Sequence, residues 1–301
     1  MIFRNLVPYR CEVNADIAPA ARLAEVVRQF PMHQPQLLEW RRDGWLPVRG
    51  IESELSFYLP DYDAAVVMHG LAERLLPGAV LREHVAEQCR QYERDRGFAP
   101  SRKTLREIRD RATTELLPKA FVKVTPTPVL LDGRHGRIYV ATSSCARADD
   151  IVSRIRDQLQ AHITPLDLTN GGLSLVAQLG QWLAAGDAPE PFGIAAQECE
   201  LRGPHANREV VAYRNHDASD DQVKRLLSAG FACTRLSLTR GTTQSFVLHE
   251  DGRVAKLALD PAYEEDQAAP ESDPTCAWEA DVRLAISEIR ALFRELERVL
   301  S

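Results

Sequence analysis

Between Pro77 and Pro118 the apolar positions fall three and four residues apart, twice over. Leu81, Val85, Cys89 and Tyr92 form one stripe and predict a helix over 79–96. Gly97-Phe98-Ala99-Pro100 interrupts it, and Ser101 is placed to cap a second helix over 102–116. There Leu105, Ile108, Ala112 and Leu116 form the stripe. Arg102, Arg106 and Arg109 follow the same spacing, so a basic row runs beside the seam. The expected unit is a helical hairpin, apolar inside and basic outside, ended by Pro118.

Elsewhere short strands and helices mix. The run 3–13 reads as a strand and 20–30 as a helix (Leu23, Val26, Val27, Phe30). Residues 42–50 read as a turn and short strand, and 64–68 as a buried strand. Residues 121–131 and 137–143 read as strands joined at Asp132-Gly133. Helices are expected over 149–159 and 173–184, strands over 210–213 and 233–239, and a hairpin over 246–259 turning at Asp251-Gly252. The acidic, proline-containing run 260–275 reads as a flexible loop. A closing helix is expected over 278–300. This pattern points to an α+β fold with antiparallel sheets.

Charge adds the next clue. From Arg90 to Lys123 there are ten Lys/Arg against five Asp/Glu, a local +5 in a chain of net −6, which leaves −11 for the remainder. Segregation this sharp fits one face that meets a polyanion. A merely solvated basic face explains the same composition. Few aromatics (Tyr92, Phe98, Phe121) accompany the cations, which favours backbone contact over base stacking. No helix-turn-helix, zinc-finger or RNA-recognition signature appears, so binding of DNA is expected to be sequence-independent.

Catalytic signatures are absent: no phosphate loop, no His-Glu-x-x-His, no Gly-x-Ser-x-Gly. The Ser143-Ser144-Cys145 cluster reads as the end of a strand rather than a nucleophile. His216 beside Asp217 is explained by a surface turn. Glu264-Glu265-Asp266 reads as solvated rather than as a magnesium site. The six cysteines are dispersed, without Cys-x-x-Cys pairs, and read as reduced, packed side chains. With no export signal and no apolar run of membrane-spanning length, a soluble, cytosolic protein is expected. No enzyme activity, cofactor or metal is implied.

Several runs taken in order resemble a known family. MIFRNLVPYR at 1–10, GWLP at 44–47, ERLLP at 73–77 with Val80, RKTLREIR at 102–109, ELLPKAF at 115–121, TRLSL at 234–238 and FVLHEDG at 246–252 are similar to the bacterial RdgC family. The resemblance spans the whole chain. It implies an α+β chain with a central domain (1–76 and 119–185), a helical tip (77–118) and a base domain (186–301). It further implies a ring-shaped homodimer with a positively lined hole, double-stranded DNA binding without sequence preference, restraint of the RecA recombinase and a nucleoid-associated, cytoplasmic location. By position, Phe121 matches a phenylalanine of the tip contact between protomers, with Leu117 beside it. Arg214 and His216 match a segment implicated in DNA contact, and Arg235 matches a lysine of the late strand. With Arg102, Lys103, Arg106, Arg109, Lys119 and Lys123 they make up the expected DNA-binding set. The sequence departs from the family at Ala212, where an arginine is usual, at His216, where a glutamine is usual, and around Thr239-Arg240, where a tryptophan often follows. Two other readings compete: a regulator that acts on RecA by direct protein contact, and a metal-dependent DNA-processing enzyme.

Overall fold

The computed structural model describes residues 3–12, 18–48, 54–204, 209–214, 221–267 and 274–301. In chain order its first part holds β1 (Val7–Glu12), α1 (Pro19–Val26), β2 (Arg41–Leu46), β3 (Ser56–Leu59), β4 (Ala64–Leu75), α2 (Gly78–Arg96), α3 (Arg102–Leu116), β5 (Phe121–Asp132), β6 (Arg137–Val140), α4 (Cys145–Leu159) and β7 (His162–Pro165). These strands form one antiparallel sheet in the order β2-β4-β5-β6-β1-β7, with β3 also on β4. The second part holds α5 (Leu175–Ala185), β8 (Phe192–Arg202), β9 (Val210–Arg214), α6 (Asp221–Ser228), β10 (Ala232–Arg240), β11 (Gln244–His249), β12 (Val254–Leu259), α7 (Pro261–Gln267) and α8 (Pro274–Leu300). Its sheet runs β12-β11-β10-β8-β9. The α+β class and the antiparallel sheets expected from the sequence are what the chain forms.

Alternation across the long β4–β5 ribbon explains the core. Ala65, Val67, Val129 and Leu131 face α1 and α4, where Leu23, Ile151 and Ile155 pack. Ala64, Val66 and Leu130 face the other way, into a cluster shared with the second sheet, α5 and α8. A strand buried on both faces has no polar alternation, which is why 64–68 reads as a plain apolar run. The helix α8 lies between the sheets: Ile286, Ile289, Phe293 and Leu296 are fully buried, and Phe293 meets Tyr139 at 4.8 Å.

The ribbon also carries the helical hairpin. β4 ends at Leu75 and β5 begins at Phe121, directly opposite. Gly97, at φ +76°, ends α2, a conformation that favours glycine. The Ser101 hydroxyl accepts from the Thr104 amide at 3.2 Å to start α3. Both helices match the expected spans to within a residue. The seam between them, however, is not closed. α2 has no buried residue, and on α3 only Ile108 and Ala112 are buried, while Leu105 is 44 % exposed. Two helices alone cover one another along a single line, and here no third element finishes the job.

Three local expectations change. Ser144 does not end a strand: its hydroxyl accepts from the Arg147 amide and caps α4, which starts at Cys145. Burial pushes the Cys145 thiol up, with the Arg253 charge opposing, so the thiol form is favoured. The run 260–275, read as a loop, opens with α7, because Asp260 accepts from the amides of Ala262 and Tyr263. And the eleven-residue β8, unforeseen, is an interior strand of the second sheet, between β10 and β9.

Candidate nucleic-acid interface

On α3, Arg102, Lys103, Arg106 and Arg109 are all exposed. Their neighbours on α2 differ. Glu87 pairs with Arg90 and, at 3.3 Å, with Arg94, which neutralises that stretch. Glu115 is engaged by His84 and Gln88, both at 3.1 Å. Among the described residues no acidic side chain pairs with Arg102, Lys103, Arg106 or Arg109. The spacing that makes them a row in sequence therefore makes them a row of unneutralised charge in space, available to phosphates. Arg102, Arg106 and Arg109 also border the open groove between the helices, floored by Leu81, Val85 and Leu105.

The hairpin is anchored at its root by Arg74. One guanidinium nitrogen donates to the carbonyls of Leu117, Pro118 and Ala120 at 3.2 to 3.4 Å. The other donates to those of Pro35 and Gln36 at 3.2 and 3.4 Å. The arginine thus satisfies the carbonyls left open where α3 stops at Pro118. Leu117, expected at the contact between protomers, is turned inward by the 3-10 turn that follows α3 and is only 2 % exposed. It presents no surface. Phe121 presents a great deal: it is 85 % exposed, so it is not a core aromatic opening a strand. Its cross-strand partner Leu75 is half exposed, and Leu37, Leu38 and Trp40 are exposed on the segment that Arg74 holds. The hairpin root thus carries exposed apolar side chains on the ribbon end and on the segment that Arg74 holds, the kind of surface that protein contacts use.

Lys119 and Lys123 are exposed beside Phe121, with Lys123 opposite Glu73 in the ribbon. In the second sheet, Arg214 is exposed on the edge strand β9, opposite Glu198. Glu198 is already ion-paired with Lys256. Arg235 pairs with Glu200 at 3.3 Å, and the Thr234 hydroxyl donates to that same carboxylate at 2.9 Å. Arg235 shares a cleft with His249, Arg253 and Lys256. Burial, then the charges of Arg253 and Arg235, hold His249 below the ordinary histidine range. His216 lies outside the described residues. Arg253 and Lys256, outside the expected DNA-binding set, stand on the same hairpin just after the Asp251-Gly252 turn. Arg102, Lys103, Arg106 and Arg109 on α3 are thus without acidic partners among the described residues, while Arg90 and Arg94 on α2 are held by Glu87, and Arg235, Arg253 and Lys256 of the second sheet by Glu200, Asp251 and Glu198.

Among the described residues no group of three or more His, Cys, Asp or Glu stands close enough to hold a metal. None of their helices is long and apolar enough to cross a membrane.

The family model described as "Putative exonuclease, RdgC" matches residues 1–301. A protein of Dechloromonas aromatica called "Recombination-associated protein RdgC" is 32 % identical over 312 residues, covering 100 % of this chain and 97 % of its own. Proteins with the same name from Bordetella parapertussis and Xanthomonas oryzae are 31 % and 32 % identical, covering 98 % and 100 % of this chain and 97 % and 98 % of theirs. With the match running from end to end, the chain belongs to the RdgC family.

Proposed function

We propose that this chain acts in recombination as a sequence-independent, double-stranded DNA-binding protein, assembled as a ring-shaped homodimer that restrains RecA. The observation that carries this is the row Arg102, Lys103, Arg106 and Arg109, exposed and without acidic partners among the described residues, in a protein of net charge −6. A row of unpaired cations binds phosphates by releasing counterions and reads no base. In the ring, the tip (77–118) and base (186–301) turn their cations to the hole, so the acidic remainder faces outward and does not repel the duplex. Phe121, exposed beside Leu75, serves as the tip contact with the second protomer. The recombination-associated name of the relatives supports the setting.

Replacing Arg102, Lys103, Arg106 and Arg109 together by alanine is expected to weaken duplex binding and flatten its salt dependence, by about 0.9 in log–log slope for each phosphate no longer neutralised. Unchanged affinity and slope would remove the tip from the interface. The family description favours one competing reading, an exonuclease. Magnesium-dependent shortening of end-labelled duplex by the purified chain would establish it. RecA inhibition that tracks the amount of protein rather than DNA coverage would favour direct contact with RecA instead.

A further inference from the structure

Away from the tip, the first sheet and α4 enclose a cleft of about 730 Å³, within the size range of small-molecule sites, roughly 300–1,000 Å³. Its floor is the odd-numbered face of two strands, Arg41 and Asp43 on β2 and His69 and Leu71 on β4, with Thr125 and Thr127 of β5 next in register beside Leu71 and His69. One wall is α4, with Arg147, Asp150 and Arg154. The other is the end of α1 and the turn after it, with Phe30 at 43 % exposure.

Two features of this cleft are not accounted for by the fold. The first is His69, whose side chain is only 6 % exposed. Its Nε2 meets Asp43 Oδ2 at 3.2 Å, and burial holds the ring below the ordinary histidine range despite that carboxylate. A neutral ring beside a carboxylate carries its proton on Nε2. Nδ1 is then a bare acceptor, and it is a buried atom with no hydrogen-bond partner among the described residues. Leaving such an atom unsatisfied is costly.

The second is Arg147. Its Nε donates to the Thr127 hydroxyl at 2.7 Å and one Nη to the Thr125 carbonyl at 2.8 Å, which fixes the guanidinium over the strand next to His69. No acidic side chain pairs with it among the described residues. Glu73 and Asp150 act on it only at longer range. Arg154 differs, being spent on Asp43. Arg41 stands exposed at the mouth, also without an acidic partner among the described residues. Asp150 and Asp157 also line the cleft, on its solvent-exposed side, and neither pairs with Arg147 or Arg41 among the described residues. The cleft thus offers a fixed, unpaired guanidinium, a second cation at its mouth and an aromatic rim, and His69, which lines it, carries a buried acceptor without a partner among the described residues.

We propose that this cleft is a binding site for a small phosphomonoester that also carries a hydroxyl or amino donor, a nucleoside monophosphate or the phosphorylated end of a DNA strand. The phosphate lies against Arg147 and Arg41, and the donor reaches the covered His69 Nδ1 by a turn of the ring on binding. Phe30 supplies a face on which a flat ring stacks. The site stands independently of the duplex-binding reading, because none of its residues belongs to the tip row.

The test is titration of the full chain with dAMP, with deoxyadenosine and with inorganic phosphate, followed by calorimetry and by the histidine ring signals in NMR spectra. dAMP is expected to bind and to shift the His69 ring signals, with deoxyadenosine at least about tenfold weaker. Arg147→Gln, which keeps a donor for Thr127, is expected to weaken dAMP about tenfold and leave duplex affinity as it was. If that variant melts early, Arg41→Gln, at an exposed position, carries the same expectation in smaller degree. Competition by 5′-phosphorylated but not 5′-hydroxyl hairpin DNA identifies a strand end as the ligand; failure of both to compete identifies the free nucleotide. Absence of dAMP binding at millimolar concentration, affinity unchanged in both arginine variants, or displacement of dAMP by closed circular duplex would overturn the proposal.

Discussion

The Arg290 guanidinium on α8 meets both oxygens of Asp132, at 2.6 and 3.0 Å, at the turn between β5 and β6. It also donates to the Tyr62 carbonyl at 2.6 Å. Asp132 is fully buried and Arg290 is 7 % exposed, and His135 Nδ1 lies 2.8 Å from the same carboxylate. The pair locks the last helix onto the first sheet. Breaking one half of a buried pair leaves the other charge without compensation. Arg290→Met is therefore expected to cost about 3–5 kcal/mol in urea unfolding, and the double variant with Asp132→Asn to cost less than the sum of the two singles. Strict additivity would mean that the two groups are not energetically coupled.

This pair illustrates what the sequence does not reveal. Asp132 is legible as a turn residue and Arg290 as the polar face of a helix, both from local spacing. That they meet across 158 positions is a property of tertiary packing, which no periodicity encodes. The same holds at the candidate interface. The row on α3 is readable because i, i+4, i+7 spacing is local, and so are Gly97 and Ser101 as the helix stop and start. The inward turn of Leu117 is not, nor the capture of Arg235 by Glu200 from the neighbouring strand, nor the exposure of Phe121. A phenylalanine opening a strand carries the same local signal whether it ends in a core or in solvent.

Arg74 supplies a second testable relationship, since the carbonyls it holds on either side tie the hairpin root to the segment before β2. Hydrogen bonds that involve a charged group contribute about 1.5–3 kcal/mol. Arg74→Met is expected to destabilise the chain within that range and to accelerate amide hydrogen exchange selectively in α3 and around Gln36. Exchange that rises uniformly over the molecule would show that the arginine supports global stability and has no special hold on the tip.

Stability is expected to depend on pH through two histidines, His69, which is buried, and His249, which is partly buried. Burial is the largest cause holding both His69 and His249 below the ordinary value of 6.5. The charged groups facing His69 are Asp43, Arg147 and Arg154, and those facing His249 are Arg253, Arg235, Asp251 and Glu200. As pH falls through 6.5, the unfolded chain takes up a proton at each position while the folded chain does not. The unfolded state then binds more protons, so stability falls with falling pH until the depressed folded values are passed. The slope contributed by each histidine is at most about 1.4 kcal/mol per pH unit. Chemical denaturation from about pH 7.5 down to about 5 is expected to show this loss, and His249→Gln to remove part of it. A variant with the wild-type slope would assign the dependence to other groups.

Phe121 separates assembly from folding. Because it is 85 % exposed, Phe121→Asp removes almost no intramolecular packing, and the stability of the isolated protomer is expected to stay within about 0.5 kcal/mol. A carboxylate set opposite Leu75 nevertheless blocks any apolar contact made there, since it cannot be desolvated without a partner. Solution mass, measured at low and high salt and with and without duplex DNA, is expected to be that of a dimer for the wild type. The variant is expected to open at the tip, and so to release closed circular DNA quickly, where a closed ring would hold an encircled molecule. Linear DNA, which leaves by its ends, is expected to dissociate from both proteins at similar rates. A wild type that is monomeric under every condition would end the ring proposal. A variant that keeps both its mass and its hold on circular DNA would leave the ring standing but move its tip contact away from Phe121.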